Sequence, residues 1–168
     1  MRSRLALATT AAALAFAASA HAAVDARLDG SFSMRGVVTR ADHIRGERRG
    51  QVVKRRWTFT ASCPSGPCQQ ATLTRPRAGG TDTVTLTQTA PGVYRGSGVF
   101  YVPVLCKGTR VRRGGRVPFT IAVSVTDASN GAATKVSATY SNPRRTNLTS
   151  CRGSLGRDSA RYTGTLVG

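Results

Sequence analysis

Acidic residues are scarce in this chain: seven Asp and Glu stand against 25 Lys and Arg in 168 residues. Glutamate occurs once, as Glu47, and beyond residue 21 histidine also occurs once, as His43. That shortage works against catalysis. A glycosidase needs two carboxylates across a cleft. A Ser-His-Asp site needs a carboxylate behind the imidazole and a serine in front of it. Asp42 and His43 are adjacent, but no G-x-S-x-G elbow marks a nucleophile. Asp25, Asp29, Asp82, Asp127 and Asp158 fall at strand ends and turns, where Asp is a common turn residue. The expectation is a protein that is not an enzyme and that carries no cofactor.

A helical stripe is also missing beyond residue 23, as is any apolar run long enough to span a bilayer. The one apolar run lies at the N-terminus. Arg2 and Arg4 form a short positive region, residues 5–18 are uncharged and Ala-rich, and Ala20-His21-Ala22 has the small-x-small pattern of a signal-peptidase site. Residues 1–22 therefore read as a signal peptide and 23–168 as one exported domain, secreted or otherwise extracytoplasmic. No cysteine follows the cleavage site to take a lipid.

Cysteines are few and even in number: Cys63, Cys68, Cys106 and Cys151. Behind a signal peptide they imply disulfides. A structural zinc site wants two close pairs of Cys or His, and here only Cys63 and Cys68 are close. The Pro64-Ser65-Gly66-Pro67 turn brings that pair within disulfide reach. The pairing expected is Cys63–Cys68 and Cys106–Cys151, leaving no thiol for nucleophilic chemistry and no metal site.

What is abundant is Val, Thr, Gly and Arg. Val117, Phe119, Ile121, Val123 and Val125 alternate with Pro118, Thr120, Ala122 and Ser124, the period-two pattern of a half-buried strand. Shorter runs around Phe32, Trp57 and Val136 repeat it. Turn signals separate the runs at 64–67, Gly79-Gly80, Pro91-Gly92 and Asn130-Gly131. They predict eight strands, at 28–40, 52–62, 69–76, 82–88, 93–104, 116–127, 132–141 and 159–167. Short connections make these an antiparallel meander, and closure hides the sheet edges. The fold expected is all-β, one domain stapled by two disulfides, an up-and-down barrel favoured over a β-sandwich. Trp57, Phe59, Tyr94, Phe100, Phe119 and Tyr140 share its inward face, as a packed core or as the wall of a small apolar ligand's pocket.

The basic charge is the remaining signal. Without Arg2 and Arg4, 23 basic residues face 7 acidic ones, near +16. Arg far outnumbers Lys, as codon bias in a GC-rich bacterial genome would produce, but such bias does not explain the shortage of acids. Two clusters stand out: Arg45, Arg48 and Arg49 in residues 42–50, and Arg110, Arg112, Arg113 and Arg116 in the Gly-rich residues 107–116, both read as loops. Arg gives bidentate contacts to carboxylate and phosphate. Neither cluster interleaves the aromatics that stack nucleic-acid bases, and export removes a genomic target. The function expected is a binding module that associates with anionic cell-envelope or extracellular polymer through these arginines. A barrel-type carrier of a small apolar ligand is the alternative, and a hydrolase or hydrolase inhibitor the third.

Overall fold

The computed structural model of the chain describes residues 22–77, 79–151 and 153–167. Residues 1–21, on which most of the signal-peptide reading falls, lie outside them. Among the described residues there is no helix, and nine strands follow in order: β1 (Gly30–Asp42), β2 (Val52–Ala61), β3 (Gln70–Arg77), β4 (Gly80–Ala90), β5 (Val93–Cys106), β6 (Thr109–Ser129), β7 (Ala132–Asn142), the two-residue β8 (Thr146–Asn147) and β9 (Arg157–Val167). Each long strand pairs antiparallel with its chain neighbours. The sheet closes because β9 pairs with both β7 and β1, and β5 with both β4 and β6. The protein is thus an eight-stranded up-and-down barrel, with β8 added alongside β6 at Gly115 and Arg116. Both expected disulfides are present, with Cα atoms 5.7 and 5.6 Å apart.

Alternation decides which side chains enter. Phe32, Met34, Trp57, Phe59, Leu73, Leu86, Tyr94, Ile121, Val123, Val125 and Val136 are all buried in one core. The intervening Thr, Ser and Arg face outward. Gly36 makes room in the wall: a Cβ there would overlap the Tyr162 ring, which lies across it from β9.

The meander gives the barrel two distinct ends. At the lower end the connections β2–β3, β4–β5 and β6–β7 meet the N-terminal segment 22–29, which acts as a cork. Ala26 and Leu28 are buried, while Val24 N–H donates to Val125 O and Arg27 N–H to Gly131 O. Asp25 accepts from the Gly92 N–H and Asp29 from the Ala61 N–H. These acids therefore cap backbone donors, in keeping with the turn role read from sequence.

The upper end gathers residues 43–51, the β3–β4 turn, the β5–β6 turn and the connection 143–156. One feature here differs from the sequence reading. Residues 107–116 are not a loop: β5 and β6 continue to Cys106 and from Thr109, joined by the two-residue turn Lys107-Gly108, both at positive φ. That is the backbone of a tight hairpin turn whose twist matches paired strands. Arg110, Arg112, Arg113 and Arg116 consequently sit on β6. The Cys106–Cys151 bridge and the Leu148 N–H to Gly114 O bond, 2.7 Å, tie this hairpin to the 143–156 connection.

Candidate functional site: a basic barrel mouth

The expected charge clusters come together through topology. The β1–β2 connection and the β5–β6 hairpin are far apart in sequence, but both project from the upper end. Arg45, Arg48, Arg49, Arg110, Arg112, Arg113 and Arg116 are all exposed. Arg113 lies over the Tyr101 ring at 4.0 Å, and Arg45 reaches the opening of the barrel. Asp127, with its partner Lys135, belongs to the lower end together with Asp25 and Asp29.

Inside this rim the barrel interior changes character. Three positions on β3 and β4 that should be apolar carry charge: Arg75, Arg77 and Asp82. They follow Leu73 and precede Val84 in the inward register, where Leu73 pairs with Val84 and Arg75 with Asp82. Asp158 enters likewise from β9, paired with Asn142. Both Asp82 and Asp158, read from sequence as strand-end or turn residues, are thus inward-facing strand residues. Asp82 Oδ1 accepts from Arg77 Nε at 2.8 Å, and its Oδ2 lies 3.0 Å from Arg75 Nη2. Asp158 Oδ1 accepts from Arg145 Nη2 at 2.9 Å.

The guanidinium groups also rest on aromatic rings. Arg75 lies 4.3 Å from the Phe119 centroid and 4.9 Å from that of Tyr140, and Arg77 lies 4.3 Å from that of Phe100. A guanidinium over a ring face is attracted by the ring quadrupole. The result is a polar layer of arginine, carboxylate and aromatic groups lying over the apolar core. It is closely packed yet short of hydrogen bonds. Arg75 is only 7% exposed. Its Nε and Nη2, with Asp82 Oδ2 and Arg145 Nε, have no hydrogen-bond partner among the described residues. The Arg75–Asp82 contact is therefore charge pairing at close range without good hydrogen-bond direction.

Above this layer is a recess of about 260 Å³. Arg45, Arg55, Arg75, Arg77 and Arg145 line it together with Trp57, Phe100, Tyr140 and Tyr162, and its acids are Glu47 and Asp158. Burial pushes the Glu47 carboxyl above its usual range, and the Asp158 charge adds to this. Burial likewise raises the phenols of Tyr140 and Tyr162. Five arginines against three acids, counting Asp82, leave the mouth positive.

No protein family, curated protein or solved structure matches this chain.

The wall of the mouth is incompletely laddered. β3 and β4 pair along their whole length, but β3 pairs with β2 only from Ala71 to Thr74, and β4 pairs with β5 only from Thr87 to Ala90. Above Thr74 the β3–β4 hairpin reaches other strands through Arg75, over Phe119 and Tyr140, and Arg77, over Phe100, while Asp82 ties the two arginines together. Pro76, without an N–H, cannot donate to a further β2–β3 rung. A second recess of about 410 Å³ follows the parting between β4 and β5, lined by Asp82, Phe100, Arg113 and Phe119 among others.

The Asp42-His43 pair lies on the outer rim. Asp42, His43 and Ser154 line a shallow recess, but the Asp42 carboxylate is taken by Arg40 at 2.7 Å and Arg157 at 2.6 Å. Those two guanidinium groups, Arg40 first, hold its carboxyl below the usual value. Ser154 Oγ accepts from the Gly156 N–H. Among the described residues no hydrogen bond joins His43 to either, nor does any group of three His, Cys, Asp or Glu suit a metal ion. Among them, too, no helix is long and apolar enough to cross a membrane.

Proposed function

We propose that this protein is an exported, non-enzymatic module that holds anionic cell-envelope or extracellular polymer against the upper end of its barrel. One observation carries the reading: both arginine clusters, separated by some sixty residues of sequence, project from the same end around a mouth that is itself lined by arginine. The outer-rim acid, Asp42, is already neutralised by Arg40 and Arg157, so the exposed arginines keep their field. A surface of one sign attracts a polyanion and releases its counterions, which makes binding salt-dependent.

The test is retention of residues 23–168 on immobilised polygalacturonate as salt is raised. Replacing Arg110, Arg112, Arg113 and Arg116 by Ser should weaken retention and flatten its salt dependence with little change in stability, since exposed charges contribute little to folding. The control replaces Arg35, Arg56, Arg95 and Arg161, which are exposed along the barrel wall. Equal loss in both variants would reduce the effect to net charge and end the proposal.

A further inference from the structure

We infer that the mouth is a binding site for a single acidic group carried on a six-membered ring, the acid meeting Arg55 and Arg75 and the ring lying against Tyr162 and Phe100. The walls are aromatic and the floor is cationic. Tyr162 packs on the buried Trp57, centroids 4.8 Å apart, and an aromatic wall of this kind suits the flat side of a sugar or an aromatic ring. A cavity of about 150 Å³ accepts benzene, so about 260 Å³ accommodates one ring with its acid and not a chain of rings. Below the polar layer the interior is filled by Phe32, Phe59, Leu86 and Tyr94, which confines the ligand to the mouth.

The arginines are suited to the task. Arg75 is more than nine-tenths buried and lacks hydrogen-bond partners on Nε and Nη2. It sits on a hairpin without a flanking ladder, so its guanidinium can turn toward a ligand carboxylate without breaking backbone hydrogen bonds. Arg55 faces inward beside Trp57, paired with Met34 across the wall. Among the described residues its guanidinium makes one hydrogen bond, to the Lys54 carbonyl at 2.9 Å.

This site deepens the polymer reading by giving an acidic polymer's end unit a seat, and the two can fail separately. Trp57 is the only tryptophan and lines the mouth, so its emission reports the mouth and not the rim. Residues 23–168 are titrated with glucuronate, glucose and polygalacturonate. Glucuronate should change Trp57 emission saturably while glucose does not. Arg55→Gln, a change at an exposed position, should weaken the response about tenfold or more, the worth of a charged hydrogen bond, while Arg112→Ser leaves it intact. If polygalacturonate competes in proportion to its chain ends, the ligand is the polymer terminus; if it does not compete, the ligand is a free small acid. Retention of the polymer with Trp57 silent to glucuronate overturns the mouth site and leaves the polymer reading standing. A glucuronate response without polymer retention does the reverse. An equal response to glucose also overturns the site.

Discussion

Asp82 is the residue on which the upper layer depends most. It is buried on β4 and, among the described residues, is the only carboxylate that contacts both Arg75 and Arg77. Asp82→Asn removes the charge at almost constant volume. Breaking a buried pair by deleting one partner costs about 3–5 kcal/mol, because the other charge stays buried and unpaired. Two features reduce this. Arg77 is partly exposed and can recover hydration, and Arg75 keeps its contacts with Phe119 and Tyr140, of the kind worth about 0.5–2 kcal/mol. A loss of about 3 kcal/mol is therefore expected, a sizeable part of the 5–15 kcal/mol typical of a domain. Urea unfolding without reductant, followed by Trp57 emission, measures it. Arg75→Met should cost less, since Asp82 retains Arg77 at 2.8 Å. The double variant Arg75→Met/Asp82→Leu should recover most of the loss, as apolar replacements of buried pairs often do. A loss below about 1 kcal/mol for Asp82→Asn, or a double variant weaker than the single, would refute the claim that this layer is held by charge.

The same unfolding assay tests the other supports of the barrel. Replacing Cys106 and Cys151 by Ser frees a loop of about 46 residues and should cost roughly 4 kcal/mol, against roughly 2 for the six-residue Cys63–Cys68 loop; equal losses would contradict the loop-entropy account. Leu28→Ala should cost about 2–5 kcal/mol by opening the cork, since Leu28 is completely buried, and a surface-like loss below about 0.5 kcal/mol would show the lower end closed by other means. Burial raises the phenols of Tyr94, Tyr140 and Tyr162 above the ordinary 10.0, so the folded state favours the neutral form. Its stabilising share is full below pH 10 and lost as pH rises beyond, because the unfolded chain ionises first. Tyrosinate absorbance should show these three resisting ionisation until the barrel opens, and their titrating near 10 in the folded protein would count against their burial.

The barrel was legible where local chemistry and global fold agree. Val117 to Val125 alternates cleanly, Asn130-Gly131 forms the turn its residues favour, and the closely spaced cysteines pair with each other. The β5–β6 hairpin was hidden because residues 109–116 are rich in Arg and Gly, which read as loop. Their pairing comes from β5 alongside, through Val104 with Val111 and Phe100 with Val117, and propensity yields to a partner strand already in place. The mouth was hidden for a related reason. Sequence reasoning takes a charge within a strand as outward-facing and an Asp at a strand end as a turn residue, so Asp82 and Asp158 gave no sign of an inward position. The signal was nonetheless present in the register. Counting in twos from Leu73 places Arg75 and Arg77 inside, and counting back in twos from Leu86 reaches Val84 and then Asp82. Opposite charges meeting at inward positions near one end of a barrel mark the depth at which the apolar core stops. Above that depth the interior can exchange its internal ion pairs for those of a ligand, and the arginines of the rim and of the interior become one electrostatic surface.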